Sequence, residues 1–211
     1  MQGGSPHAEA DPRETGGRAR GVRTEELERR IKTCRLCRLH ERRTNAVPGE
    51  GPWDAGIMLI GEAPGFNEDQ QGRPFVGAAG QLLTELLQMA GLERGSVYIT
   101  NVVKCRPPNN RDPMPDEVRT CADEFLKKQV KILRPRLVVS LGRISAAELL
   151  GRPVSMSREH GRIVDCEYAG VRFKLFLSYH PAAGLYGAGV RKQLEEDFRK
   201  LGSVLRLLSA W

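Results

Sequence analysis

The sequence has no apolar run long enough to cross a membrane. Its longest runs, such as residues 57–60 and 137–139, fall far below the roughly 18 residues that a spanning helix needs. No apolar segment follows Met1, so we expect no secretion signal and a cytoplasmic protein. With 40% hydrophobic and 28% charged residues, the composition also excludes a disordered chain.

The cysteine content also does not predict a disulfide framework, because the chain has only five cysteines. An odd number without a secretion signal argues against paired disulfides. The spacing of Cys34 and Cys37 instead brings two thiols within reach of one metal, and Cys105 and Cys121 could complete a four-thiolate site. Such a site would suit zinc or an iron–sulfur cluster. Two alternatives stay open: Cys121 is a core residue, or the close pair is a redox pair.

Positive charge is unevenly distributed along the chain. The 33 Lys and Arg residues outnumber the 26 Asp and Glu residues, which gives a formal net charge of +7. Residues 1–23 contribute only +1 and have almost no large apolar side chain, so we expect a flexible N-terminal tail. The other +6 belongs to residues 24–211, which we expect to fold as a single domain. This balance weakly favours a polyanionic partner.

Short apolar strands alternate with amphipathic helices through the predicted domain. Thr24 is expected to cap the first helix. Strands are predicted at residues 57–60, 97–103 and 137–141, with a hairpin formed by residues 163–166 and 171–175. This alternation predicts right-handed βαβ units and an α/β fold, in which helices cover both faces of a largely parallel sheet.

Three segments fall at carboxyl ends of predicted strands, where sites in such folds lie. They are the GEAPG turn at residues 61–65, the segment that begins at Asn101, and the segment that begins at His180. No Gly-Lys-Ser/Thr follows the GEAPG turn, which excludes a Walker phosphate loop. Each segment also has a purely structural interpretation, as a turn, a loop amide or a buried imidazole. Phe75 is likewise either a core anchor or a stacking platform for a base.

Taken together, five motifs in this order resemble the family-4 uracil-DNA glycosylases, the iron–sulfur members of that superfamily. They are GEAPG (61–65), GRPFVGAAG (72–80), TNVVKCRPP (100–108), VVSLG (138–142) and YHPAA (179–183). The resemblance runs from about Thr24 to Leu208. It implies a three-layer α/β/α fold with a central, largely parallel four-stranded sheet.

The resemblance also implies a reaction, the hydrolysis of the N-glycosidic bond between uracil and deoxyribose in DNA. The enzyme would be a monofunctional glycosylase that flips the target nucleotide and begins base excision repair, leaving an abasic site and free uracil. His180 matches the position that donates to the uracil O2. Phe75 would stack on the base, and Asn101 would pair with its O4 and N3–H. Ala63 and Pro64 would line the pocket through their backbone.

Further expectations rest on the same resemblance. Well-known members of the superfamily place an Asp where this chain has Ala63, so Glu62 is our candidate for water positioning or electrostatic support. Leu185 is a candidate wedge for the space that the flipped base leaves, although it could equally be a core leucine. A structural [4Fe–4S] cluster would be held by the four family ligand positions: Cys34, Cys37, Cys105 and Cys121. Cys166 matches no ligand position.

The expected partner is uracil-containing DNA, single- or double-stranded, bound by a monomer that associates with the nucleoid. Two competing interpretations are a non-catalytic nucleic-acid module and a redox protein that passes electrons through the cluster. A third is the related superfamily branch that bonds covalently to the abasic sugar. That branch carries a His in a basic loop after the Asn-bearing strand, whereas no His follows Asn101 in residues 102–108.

Overall fold

Five short strands form one sheet in the computed structural model, which describes residues 12–208. They are β1 (Ile57–Gly61), β2 (Tyr98–Asn101), β3 (Leu137–Leu141), β4 (Ile163–Tyr168) and β5 (Val171–Ser178). The spatial order is β2-β1-β3-β5-β4. The first four strands in that order pair in parallel, and β4 pairs antiparallel with β5 at one edge.

Helices occupy most of the chain between the strands. They are α1 (Pro12–Thr33), α2 (Phe66–Gln71), α3 (Ala78–Met89), α4 (Pro115–Cys121), α5 (Lys127–Leu133), α6 (Arg143–Leu150), α7 (Met156–Glu159), α8 (Pro181–Tyr186) and α9 (Ala188–Leu208). A π-helical turn, Ala122–Leu126, joins α4 to α5, and single 3-10 turns lie at Arg38–Glu41, Arg94–Ser96 and Pro108–Asn110. Among residues 12–208, no helix has the length and apolarity that crossing a membrane requires.

The sheet is the middle of three layers, as alternation along β1 shows. Met58 and Ile60 are buried in one hydrophobic cluster with residues of α1, α4, α5 and α6. Leu59, between them, is buried in a second cluster with residues of α3 and α9. Because successive strand side chains point to opposite faces, each face of the sheet is covered by its own helices. The predicted α/β/α layering is therefore confirmed.

The number of strands differs from the expected four. The hairpin predicted at residues 163–175 is present, and its first arm adds β4 to the sheet edge. Ala169 and Gly170 make the turn with φ values of 54° and 75°, in the left-handed region that tight hairpins require. The sheet therefore has four parallel strands and a fifth, antiparallel one.

The first helix also begins earlier than predicted. Thr24 does not cap it, because the Thr24 hydroxyl donates to the Gly21 carbonyl at 2.7 Å from within the helix. The helix begins at Pro12, so residues 12–23 continue α1 and residue 24 does not mark an element boundary. Residues 1–11 of the expected tail lie outside the described residues, and the division into a tail and one domain stays a prediction.

Candidate active site

The carboxyl edge of the sheet opens into a pocket of about 280 Å³. Gly61 at the end of β1 lies beside Asn101 at the end of β2, and His180 follows β5. All six residues predicted to act at the pocket line it: Glu62, Ala63, Pro64, Phe75, Asn101 and His180. The structure thus brings together three segments, of which the first and the last, at Glu62 and His180, are more than a hundred residues apart in the sequence. What each residue does there stays a prediction.

Asn101 has the most unusual environment in the pocket. Its side chain is only 1% exposed, and its Oδ1 is a buried side-chain polar atom that has no hydrogen-bond partner among the described residues. A Cβ on Gly61 would overlap with this oxygen, so the glycine leaves the space that the amide needs. Since a buried unpaired acceptor costs about 1–3 kcal/mol, this atom is suited to a ligand that brings an N–H donor.

Phe75 has a left-handed backbone conformation, with φ at 51°. Its ring is buried against Gly61, where a Cβ would meet the ring Cζ at 2.6 Å. Gly80 is required nearby, because a Cβ there would overlap with the Phe75 carbonyl group. A non-glycine residue in this conformation carries about 1–3 kcal/mol of strain, which the surrounding contacts must overcome.

Glu68 supplies those contacts, a function that the sequence analysis did not assign. Its Oε1 accepts the N–H groups of Val76 and Gly77, each at 2.9 Å, directly after Phe75. Its Oε2 accepts the N–H of Gly65 at 3.1 Å. One carboxylate thereby joins the GEAPG turn to the segment that carries Phe75. The spacing of Gly65 and Glu68, which is that of a capping box, is the sequence signal that could have indicated this.

His180 precedes α8 and caps it. Its Nδ1 accepts the N–H of Ala182 at 3.1 Å, which leaves the proton of a neutral ring on Nε2. Burial away from water lowers the pKa of the imidazole from 6.5 to about 4, although the nearby Glu68 carboxylate acts in the opposite direction. The ring stacks beside Phe75 with a centroid distance of 5.6 Å. A neutral imidazole with one N–H donor therefore stands at the pocket wall.

Glu62 lies across the pocket, at the beginning of α6. Its Oε1 accepts the N–H of Ile144 at 3.0 Å. Gly142, with φ at 104°, makes room for this carboxyl group, since a Cβ there would overlap with Oε1. Burial raises the pKa of Glu62, and the bond from Ile144 opposes that shift. The group is held in place by main-chain donors.

The proline-rich segment after Cys105 forms another wall of the pocket that sequence reasoning did not assign. Asn110, Arg111 and Asp112 line the cavity there. Asn110 accepts a hydrogen bond from Arg106 Nε at 2.6 Å, while Arg111 forms a bidentate pair with the buried carboxylate of Glu117. These contacts hold an irregular segment in one conformation.

Leu185 lies on α8, five residues beyond His180, and is 38% exposed. The next residue, Tyr186, is 91% exposed. Both side chains project from the same short helix that His180 caps. Leu185 belongs to neither hydrophobic cluster of the described residues, and its function as a wedge stays a prediction.

The four predicted metal ligands come together outside the pocket. Cys34, Cys37, Cys105 and Cys121 line one small cavity between the end of α1 and the end of α4. Cys166 lies apart, where its thiol donates to the Leu149 carbonyl at 3.4 Å. Among the described residues, no group of three or more His, Cys, Asp and Glu side chains has the spacing needed to hold a metal ion.

The chemistry of this cavity nevertheless fits an iron–sulfur cluster. Three sulfur atoms accept N–H donors: Cys121 from the Lys104 backbone at 3.3 Å, Cys34 from the Leu36 backbone at 3.5 Å, and Cys105 from Arg43 at 3.0 Å. Such donors stabilise thiolate ligands and tune a cluster. Burial raises the pKa of Cys37 and Cys105 and that of Cys121 to about 12, so a bound metal would have to displace these protons.

The residues that form the sheet and the pocket are similar in sequence to known proteins. The family model of the uracil DNA glycosylase superfamily matches residues 48–201. A type-4 uracil-DNA glycosylase of Archaeoglobus fulgidus is 47% identical over 184 residues, which is 85% of this chain and 92% of the relative. One of Pyrobaculum aerophilum is 50% identical over 177 residues, 82% of this chain and 90% of the relative. A type-5 uracil-DNA glycosylase of Thermus thermophilus is 40% identical over 119 residues, 49% of this chain and 53% of the relative.

Proposed function

The chain belongs to the type-4 uracil-DNA glycosylases, and we propose that it removes uracil from DNA by hydrolysing the N-glycosidic bond. The products are free uracil and an abasic site, so the enzyme performs the first step of base excision repair. The base must leave the helical stack to enter the pocket, because its glycosidic bond is not accessible inside a duplex.

The observation that carries this proposal is the unpaired Oδ1 of Asn101. Uracil offers an N3–H donor for that oxygen and an O4 acceptor for the amide N–H of the same side chain. Cytosine has an unprotonated N3 and an amino group at these positions, so both contacts would be mismatched. A site built for such hydrogen bonds rejects the wrong base strongly, because its buried partners stay unsatisfied. A redox protein or a non-catalytic module has no need of this arrangement.

His180 then stabilises the leaving group. As the bond to C1′ breaks, negative charge develops on the uracil ring, and the Nε2–H of His180 donates to O2. A neutral donor that is already in place acts on the developing charge without reorganisation. The Ala182 N–H holds the ring in the required tautomer.

The other pocket residues orient the base and support the sugar. Phe75 stacks on the base, and its fixed backbone conformation keeps the ring in position. Ala63 and Pro64 shape the pocket through their backbone. Glu62 positions the water or stabilises the positive charge of the oxocarbenium-like sugar, a function that its ionised form serves.

Outside the pocket, Leu185 fills the gap that the flipped nucleotide leaves in the DNA. We assign both single- and double-stranded uracil-containing DNA as substrates of a monomeric enzyme. Such an enzyme works in the cytoplasm, on the DNA of the nucleoid.

The four cysteines Cys34, Cys37, Cys105 and Cys121 hold a [4Fe–4S] cluster with a structural function. Bound there, the cluster would supply iron–thiolate bonds that join the segments after α1 and after β2 to the end of α4. Glycosidic hydrolysis transfers no electrons, so no step of the reaction requires its redox chemistry. The protein is expected to be brown, with broad absorbance near about 400 nm.

The decisive experiment incubates the purified protein with a single-stranded oligonucleotide that contains one uracil. Free uracil is measured directly, and alkali then cleaves the abasic site. The Asn101→Ala variant should lose most activity, whereas Asn67→Ala should keep it, since Asn67 is exposed and does not line the pocket. If the wild-type protein releases no uracil, the proposed function is wrong.

A further inference from the structure

Lys104 is a buried lysine that neither the pocket nor the cysteine site explains. Its side chain is 1% exposed, and its ammonium group donates to three oxygens. These are Thr100 Oγ1 at 2.7 Å, the Asn101 main-chain carbonyl at 2.6 Å and Gln129 Oε1 at 2.6 Å. None of the three acceptors is a carboxylate. Burying a lysine in this way is costly, so a filler of the core would be better made from an apolar side chain.

The lysine stands between the two sites described above. Its backbone N–H donates to Cys121 Sγ at 3.3 Å, and the next residue is Cys105. Its ammonium group reaches back to Asn101, the residue with the unpaired oxygen in the pocket. One residue therefore contacts both the cysteine site and the end of the strand that presents the amide.

The segment between Asn101 and Lys104 is also hydrogen-bonded to the GEAPG turn (residues 61–65). Val102 donates to the Gly61 carbonyl at 2.9 Å, and Val103 donates to the Glu62 carbonyl at 3.0 Å. Asn101 is the last residue of β2. Its carbonyl accepts a hydrogen bond from the Lys104 ammonium group. The direction of the Asn101 side chain depends on how this peptide group is held.

Lys104 does not touch the reacting groups. It lines the cavity of the four cysteines and is not among the residues that line the base pocket. Of the three acceptors of its ammonium group, only the Asn101 carbonyl belongs to a residue that lines the base pocket. Gln129 supports the lysine from α5 and is itself anchored by donating to the Pro48 carbonyl at 2.8 Å and to the Tyr98 hydroxyl at 3.1 Å.

We propose that Lys104 is a positioning residue that holds the Asn101 peptide in the orientation for uracil recognition and ties it to the cysteine site. The proposal rests on the proposed function. Through Lys104, the TNVVKCRPP segment would connect the proposed cluster to Asn101, the residue that is proposed to recognise uracil.

The test is a double-mutant cycle with Lys104→Met and Asn101→Ala, measured as single-turnover release of uracil from DNA. In the wild-type background, Lys104→Met should lower the maximal single-turnover rate constant about 10- to 100-fold and leave the half-saturating concentration nearly unchanged. In the Asn101→Ala background, the same change should have less than about a twofold effect, because the group through which it acts is gone. Lys128→Met, at a half-buried surface position on the same helix as Gln129, is the control and should keep full activity.

Iron content and absorbance near about 400 nm are measured on every variant and should match the wild type. Equal losses in both backgrounds, with or without loss of iron, would overturn the proposal, since Lys104 would then act on the fold as a whole. Full activity of Lys104→Met would overturn it as well. If the methionine variant does not fold, Lys104→Gln, whose amide group keeps N–H donors without the charge, enters the same cycle with the same expected non-additivity. A wild-type protein that releases no uracil contradicts the proposed function instead, and it does so before any variant is made.

Discussion

Replacing His180 with asparagine tests whether the imidazole is held neutral. The folded protein has a His180 pKa of about 4, against an ordinary value of 6.5. Between these values the unfolded chain binds a proton that the folded protein does not, so its stability falls as the pH falls. Lowering the pH from 7.5 to 5 should therefore remove up to about 2 kcal/mol of unfolding free energy through this one residue. The value is an upper bound, because the pocket leaves the ring partly exposed.

The measurement is urea unfolding of the wild type and of His180→Asn at both pH values. The difference between the two proteins isolates His180, since Glu62 and the other titrating groups are present in both. Glu62, with its raised pKa, acts in the opposite direction, because the folded state then holds a proton that the unfolded chain has lost. If wild type and variant lose the same stability between pH 7.5 and pH 5, the imidazole is not held neutral and the donor assignment loses its physical basis.

Three further predictions concern the surroundings of the pocket. Glu68→Ala leaves the N–H groups after Phe75 unpaired, so it should lower the unfolding free energy by about 2–4 kcal/mol. Urea titration would measure this loss, and single-turnover assays should show slower uracil release. Unchanged stability would contradict the assigned contacts. Leu185→Ala should slow release from double-stranded DNA more than from single-stranded DNA, and equal slowing would argue against a wedge. Cys121→Ser should abolish the absorbance near about 400 nm and lower the melting temperature, whereas Cys166→Ser should do neither.

The sequence was sufficient to predict six of the residues that meet at the pocket, but not the wall formed by residues 110–112. Asn101 and His180 each follow an apolar strand, and the rule that parallel strands share a carboxyl edge places them together without further information. The motif around Phe75 identified that residue as well. These predictions succeed because strand ends are defined by local composition, and the sheet geometry does the rest.

The supporting contacts could not be predicted in the same way. Lys104 lies in a segment that local composition describes only as the end of a strand, and its three acceptors are determined by how α5 packs beneath β2. The function of Glu68 depends on a long-range contact with Val76 and Gly77. The predicted beginning of α1 at Thr24 was also wrong. Gly16 and Gly17 disfavour a helix there, but α1 begins at Pro12 and continues through both glycines.

The order of the strands has a consequence for the protein while it is being synthesised. Glu62, Phe75 and Asn101 precede β3, whereas His180 follows β5, which pairs with β3 on one side and with β4 on the other. A nascent chain that has emerged only as far as residue 160 contains Phe75 and Asn101, but it contains neither β5 nor His180, the proposed leaving-group donor. If His180 donates to the leaving group as proposed, such a chain lacks that donor and should release little uracil from DNA.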